Sequence, residues 1–438
     1  MQKKVLILTT EKISGEIREL FLKLPVSLGI LTKAKEVKSK SKGANLVILD
    51  DDILRATGRL RAQIYAYLKH SGVTFIILSS RRNIQAVLEA RNMGAVDYLS
   101  KPFHYRDFIL RFNAALYGKK RIVCIGGGTG LFNVLLALKA LPDILLTSIV
   151  SMSDSGGSSG RLRASFGILP PGDIRRSLVA LSNAPSFMSE LMQHRFSKGG
   201  GLKGHNFGNL FLTALSEFRG SMPEAIKGVG DILNIQGIVL PVTTQLTTLC
   251  AEFEDGTVIK GESKIDLCEE RRPELLIKKI WHEPPVACDV DVFASLINAD
   301  FIIIGPGDLY TSVITNLLVK NMRKALSLSR AKAIYICNLM TEPGETTNYN
   351  AATHVKEVIK YLGADMLDYV IISNTHLCAK AIRKYASKNQ SPVYLGDMQD
   401  LWEATKASII LADVGDVSEL VRHHESKLRA QIQELINK

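Results

Sequence analysis

Short apolar runs alternate with amphipathic stretches along the whole chain, and this spacing predicts strands followed by helices. In residues 4–117 the clearest strands are 5–8, 46–49, 75–78 and 96–99. Further on, strands are predicted near 122–125, 145–151, 236–242, 301–304, 333–338 and 369–373, separated by helical segments. Near-continuous apolar strands belong to parallel sheets covered by helices on both faces, so the expected class is α/β, with a mostly parallel three-layer αβα arrangement in the larger part. One local exception is 246–263, where Glu254-Asp255-Gly256-Thr257 sits between two alternating runs and reads as an antiparallel hairpin. Gly118-Lys119-Lys120-Arg121 interrupts the pattern before a fresh strand, which places domains at 1–118 and 119–438.

Composition changes this picture little. The 438 residues are 46% hydrophobic and 22% charged, enough for two or three domains with full cores. The longest apolar runs, such as Phe301-Ile302-Ile303-Ile304, are too short to cross a bilayer, and the first residues lack the apolar stretch of a signal peptide. No membrane span and a cytosolic location are therefore expected. Cys124, Cys250, Cys268, Cys288, Cys337 and Cys378 stand singly with no CxxC spacing, which argues against disulfides and structural zinc. Charge is uneven: residues 1–118 carry 20 Lys and Arg against 10 Asp and Glu, leaving 35 against 33 for the rest. Such a basic domain presents either a solvated face or a surface for nucleic acid, an acidic protein or anionic lipid. Nucleic acid is not expected, because no basic motif interleaved with aromatics accompanies the charge.

In the first domain, Leu46-Val47-Ile48-Leu49-Asp50 is a strand ending in an acid, Ser79 follows another strand, and Asp97-Tyr98-Leu99-Ser100-Lys101-Pro102-Phe103 is a strand running into a Lys-Pro turn. Over residues 4–117 this order resembles a flavodoxin-like response-regulator receiver domain. The resemblance implies Asp50 as phosphoacceptor, Ser79 as its switch hydroxyl and Lys101 as the partner of the acyl phosphate. Receivers also need an acidic pair after the first strand to hold magnesium, and here Thr9-Thr10 stand there with only Glu11 beside them. Hydroxyls replace carboxylates poorly around a hard cation. The expectation is a degenerate receiver used for docking or dimerisation, with a protein partner and a homo-oligomeric assembly.

The chemistry-bearing residues of the second domain gather after its strands. Gly126, Gly127, Gly128, Thr129 and Gly130 join the strand at 122–125 to an amphipathic stretch, so backbone N–H groups at a helix N-terminus are offered to an anion. Leu131 occupies the third glycine position of a GxGxxG fingerprint, which argues against a dinucleotide. The run from Ser153 to Arg163 reads as a polar loop in which Asp154, Gly156, Gly157, Ser158, Arg161 and Arg163 supply a carboxylate, N–H donors, a hydroxyl and two guanidiniums suited to a diphosphate. Asp173 precedes a helix as a natural N-cap, and His205, Asn206 and Asn209 open another. Gly305, Gly307, Tyr310 and Thr311 belong to a second glycine-rich strand-to-helix turn. Because ligands of open parallel sheets lie beyond the carboxyl ends of the strands, these loops are expected to converge on one site.

Taken in order, GGGTG, DSGGSSGRLR, PPGDIR, GHNFGNL, VLPVT, DGTVIKGES, ADFIIIGPGDLYTS, NLMTEPGET and Val421-Arg422-His423-His424 closely resemble the gluconeogenesis factor family, itself similar to the 2-phospho-L-lactate transferases. The likeness spans roughly residues 121–435. It implies a Rossmann-like domain that binds a UDP-sugar, typically UDP-N-acetylglucosamine, in cytosolic regulatory proteins needed for cell shape and envelope growth on gluconeogenic carbon. By the same likeness the glycine turn faces phosphate, Tyr385 stacks on uracil and Arg422 pairs with diphosphate. Ser155 stands where a second aspartate is usual, which weakens a magnesium site beside Asp154. Asp308 stands where serine is usual, which puts a negative charge near the presumed phosphate. The expected function is nucleotide-sugar binding without catalysis; the alternative is a phospholactyl-type transferase using Mg²⁺ with Asp154 and Asp173.

Overall fold

The computed structural model describes residues 2–9, 21, 24–267, 274–416 and 420–438. They form two compact units, Met1–Lys120 with Asp143–Leu145, and Arg121–Pro142 with Leu146–Lys438. The first contains β1 (Lys3–Leu8), β2 (Val26–Leu31), β3 (Leu46–Asp50), β4 (Phe75–Ser79) and β5 (Asp97–Ser100) in the order β2-β1-β3-β4-β5, with parallel pairing throughout. This 2-1-3-4-5 order is that of flavodoxin and of receiver proteins, as the resemblance implies. Every residue of β3 and β4 is buried, which explains their unbroken apolar runs. Strand β2 was not expected. It lies at the sheet edge, half-exposed, and its Ser27 and Gly29 break the apolar signal.

The second unit is built on a seven-stranded sheet. Its strands are β6 (Lys120–Gly126), β7 (Ile144–Val150), β8 (Ile238–Pro241), β12 (Phe301–Ile304), β13 (Lys332–Ile336), β14 (Tyr369–Ser373) and β15 (Ser408–Ala412). Between β8 and β12 the chain makes a separate three-stranded antiparallel sheet of β9 (Thr248–Phe253), β10 (Val258–Lys260) and β11 (Ile277–Glu283). The β9–β10 pair is the expected hairpin. Two of these strands, β11 and β15, escaped the periodicity: Lys278, Lys279 and Glu283 dilute β11, and β15 is an edge strand with two exposed residues.

The large sheet runs β15-β14-β13-β12-β6-β7-β8. From β6 the chain winds outward through β7 and β8, then returns to the opposite side of β6 with β12, so the winding direction reverses between β6 and β12. Such a switch point opens a crevice at the carboxyl ends of the strands. The two strands are level there, since Phe301 pairs with Ile122 and Ile304 with Ile125, and the amide of Gly305 donates to the carbonyl of Ile125 at 2.9 Å. Both glycine-rich turns therefore leave the sheet side by side. Cys124, Cys250, Cys288 and Cys337 are buried free thiols and Cys378 is exposed; Cys268 lies outside the described residues. No described helix is long and apolar enough to cross a membrane.

Candidate functional site

The first turn enters the helix Gly128–Lys139 and the second a π-helical turn, Leu309–Ile314. They touch. A Cβ on Gly130 would lie 2.3 Å from the carbonyl oxygen of Pro306 and 2.9 Å from the amide nitrogen of Gly307, so only glycine allows the two backbones this close. Side chains from further along the chain hold the pair in place. Asn316 donates to the carbonyls of Gly126 and Ser312 at 3.3 and 2.8 Å, and Asn338 brackets Gly307, accepting from its amide at 3.3 Å and donating to its carbonyl at 2.8 Å. Fully buried Glu345 accepts from the Tyr310 amide at 2.9 Å and the Thr311 hydroxyl at 2.5 Å.

Above the switch point lies a cavity of about 460 Å³. Of the residues chosen from sequence, Gly128, Thr129, Gly130, Asp154, Gly156, Gly157, Asp173, Gly307 and Thr311 line it. Two local readings need correction. Residues 157–166 are the helix Gly157–Phe166 rather than loop, because Ser158, Ser159 and Leu162 form a buried face that the serine- and glycine-rich composition hides. Asp173 is not an N-cap: Pro170 caps the helix Pro171–Leu181, and Pro171 at its first position fixes the start, which leaves Asp173 buried in the first turn. Its carboxylate accepts from Arg176 at 3.1 Å.

The lining also contains Arg176, Glu262, Ser263, Asp266 and Ser312, which sequence reasoning missed, and Asp308, read only as a departure. Glu262 and Asp266 come from the helix Glu262–Leu267 that follows the β9–β10 hairpin. Glu262 accepts from the amide of Ser155 at 3.2 Å, while the Ser155 hydroxyl meets the hydroxyl of Ser263 at 3.1 Å and accepts from the Ser263 amide at 3.0 Å. A carboxylate from 107 residues away thus stands beside the position where an aspartate was missing. The signal that would have found it was the final Glu-Ser of DGTVIKGES.

Among the described residues five carboxylates line the cavity, Asp154, Asp173, Glu262, Asp266 and Asp308, against one guanidinium, Arg176. Burial raises the carboxyls of Asp173 and Asp266, with the charge of Asp154 adding to both and Arg176 opposing at Asp173. Burial and then the charges of Asp266 and Asp173 push Asp308 up to about 6, and burial with the charge of Asp154 pushes Glu262 up to about 8. The raised value means that the folded chain holds the Glu262 proton more tightly than the unfolded chain does. Stability from this group is present below its ordinary range and is lost as pH climbs through about 8. Glu262→Gln should therefore match the parent near pH 4 and melt higher near pH 9, by about 2–4 °C for each kcal/mol relieved. Thermal melts at the two pH values test this, and an equal margin at both would contradict it.

Other residues chosen from sequence lie outside the cavity lining. Ser158 meets Nδ1 of His205 at 3.1 Å and accepts from the Asn206 amide and the Asn209 side chain, each at 3.3 Å, while Asn209 accepts from Nε of Arg175 at 3.0 Å. Asn206 caps the helix Phe207–Arg219. Arg161 donates to the carbonyl of Lys203 at 3.2 Å and Arg163 to that of Thr247. These groups hold the walls together. Gly126, Gly127 and Gly305 lie behind the lining; a Cβ on Gly127 would reach within 2.6 Å of Asp173. Tyr310 is wholly buried with its hydroxyl 3.0 Å from that of Tyr349. Tyr385 accepts from the amide of Val421 at 2.9 Å and Arg422 is exposed on a two-residue strand; neither is among the residues lining this cavity.

In the first unit Lys101 lies 2.6 Å from Asp50 and its amide donates to the carbonyl of Ser79 at 2.8 Å, while the Ser79 hydroxyl, buried at the end of β4, turns to Asp52. Asp52 and Ser80, not anticipated, complete this group. Thr9 is buried at the end of β1, while Thr10 and Glu11 lie outside the described residues.

A doubly wound parallel sheet with two glycine turns meeting at its switch point defines a Rossmann-like protein. The chain belongs to the family of 2-phospho-L-lactate transferase CofD, whose model matches residues 122–414. It is 41% identical over 347 residues to a putative gluconeogenesis factor from Nostoc, covering 78% of this chain and 74% of that one. With the gluconeogenesis factor of Bacillus subtilis it shares 39% identity over 323 residues, 73% of this chain and 98% of the other. A crystal structure of a UPF0052 family protein from Bacillus halodurans matches with a TM-score of 0.68 at 36% identity, covering 72% of this chain and 99% of that chain.

Proposed function

We propose that the second unit binds a nucleotide diphosphate sugar of the UDP-N-acetylglucosamine type and acts as a regulatory binding protein tied to gluconeogenic growth, cell shape and envelope synthesis. The observation that carries this reading is the meeting of two glycine turns at the switch point beside Arg176, which offers N–H donors from two backbones and one guanidinium to a diphosphate. The relatives named gluconeogenesis factor support the regulatory part. In this reading the basic first unit meets a protein partner and passes on occupancy of the site, in a homo-oligomer.

The acidic wall favours a second reading, phospholactyl-type transfer, in line with the family description. Among the described residues no three acids, histidines or cysteines come close enough to hold a metal alone. Magnesium commonly takes one or two carboxylates plus substrate phosphates, and Asp154 and Asp173 are oxygen donors of the right kind on one cavity wall. When bound there, the ion would offset charge on the diphosphate. The purified chain incubated with UDP-N-acetylglucosamine, Mg²⁺ and candidate acceptor alcohols separates the readings. A raised Tm with intact ligand supports the sensor, and product formation supports the transferase. No stabilisation by UDP- or GDP-linked donors would defeat both.

A further inference from the structure

The first unit carries a group of hydrogen-bond donors that the nucleotide-sugar reading does not use. At the carboxyl ends of β4 and β5 the Ser79 hydroxyl, the Ser80 amide and hydroxyl, and the Lys101 ammonium converge, and what they converge on is the chain's own Asp52. One of its carboxylate oxygens accepts from the Ser79 hydroxyl at 3.3 Å, the Ser80 amide at 3.1 Å and the Ser80 hydroxyl at 3.0 Å. The other accepts from the Ser80 amide at 3.0 Å and from Lys101 at 3.1 Å.

These bonds are not local turn geometry, since Asp52 lies 27 and 28 residues from the serines and 49 from the lysine. A hydroxyl, a free backbone N–H and an ammonium around one charged oxygen pair are the donors that a phosphoryl group takes. Burial opposes ionisation of Asp52, but the bonds from Ser80 and Lys101 outweigh it and hold the carboxyl below its usual range. The neighbouring acids differ. Asp51 is turned away, bound by Arg61 at 2.7 and 3.1 Å and by Tyr65 at 2.7 Å. Buried Asp50 accepts from the Asp52 amide at 3.2 Å and shares Lys101 with Asp52, so the two carboxylates compete for one ammonium.

We infer that the carboxyl edge of the first unit is an oxyanion site of phosphoryl type that the chain fills with its own Asp52. While Asp52 is in place, Asp50 takes no phosphoryl group, and the unit keeps its anion-bound arrangement without modification. Without the Asp52 carboxylate the site is open: an oxygen of Asp50 attacks the phosphorus of an acyl phosphate, an O–P bond forms, the bond from phosphorus to the acyl oxygen breaks, and the carboxylate of the donor leaves.

The test uses the full chain, Asp52→Ser, and Asp52→Ser combined with Asp50→Asn or with Lys101→Ala. Each is incubated with acetyl phosphate and Mg²⁺ and read by intact mass, and separately melted with and without inorganic phosphate. Expected are labelling of Asp52→Ser at least tenfold above the parent and lost with Asp50→Asn, and a phosphate-induced rise in Tm beyond the parent's that disappears with Lys101→Ala. Because the second unit is the same in every variant, its own anion binding cancels in the comparison. Labelling of Asp52→Ser above the parent supports the assignment, and the gain in Tm adds to it. A parent labelled as strongly as Asp52→Ser, or a folded Asp52→Ser that shows neither gain, overturns it.

Discussion

Alanine at position 130 is expected to cost the second unit both stability and ligand binding. Its Cβ would sit 2.3 Å from one backbone atom of the facing turn and 2.5 Å from another, and a backbone clamped by Asn316 and Asn338 cannot swing aside as a side chain does. Overpacking of this kind costs about 1–3 kcal/mol and sometimes more. Relief must come from parting the two turns, so loss of nucleotide-sugar binding should accompany a fall in Tm of roughly 2–12 °C. Gly157→Ala is the control. That residue has φ of +45° with nothing within 4 Å of an added Cβ, so its cost is backbone strain of about 1–2 kcal/mol and not a clash. If calorimetry finds Gly130→Ala binding as tightly as the parent, the contact between the turns does not shape the site.

Arg176→Gln should weaken binding of a diphosphate ligand by about 10- to 150-fold, the range that follows from about 1.5–3 kcal/mol for a hydrogen bond to a charged group. Among the described residues Arg176 is the one cation lining a cavity with five carboxylates, and it also answers the buried Asp173. Its removal takes away the attractive partner and leaves the repulsive ones. The converse change, Asp308→Ser, removes one of those carboxylates and should tighten binding of the same ligand, measured at pH 8 where Asp308 is ionised. Equal affinities for Arg176→Gln and the parent would place the diphosphate away from Arg176. Tighter binding only when Mg²⁺ is withheld would assign to the ion, and not to the arginine, the balancing of the ligand's charge.

The legible part of this chain was whatever a short window expresses. Unbroken apolar runs mark β3, β4, β6 and β12 because those strands are buried on both faces, whereas the edge strands β2 and β15 mix polar with apolar positions and give no clear period. The two glycine turns were visible because a backbone that must approach another so closely tolerates only glycine. Serine and glycine between Ser153 and Arg163 pointed to loop, since intrinsic propensity does not register that Ser158 and Ser159 are bonded to Asn209 on a packed face.

By itself the sequence determined an α/β chain, a receiver-like first part, and a Rossmann-like second part in which Gly128, Gly130, Asp154, Asp173 and Gly307 belong to one edge of one sheet. These follow from local patterning and from the rule that binds ligand sites to the carboxyl ends of parallel strands. Only the tertiary structure decided that β6 and β12 are neighbours, that Glu262 stands beside Ser155, that His205 and Asn209 brace a wall instead of lining the cavity, and that Asp52 rather than an outside anion sits among Ser79, Ser80 and Lys101. Each of those is a meeting of groups far apart in the chain. Which group meets which is set by how the strands order themselves around their cores, and no window of residues contains that information.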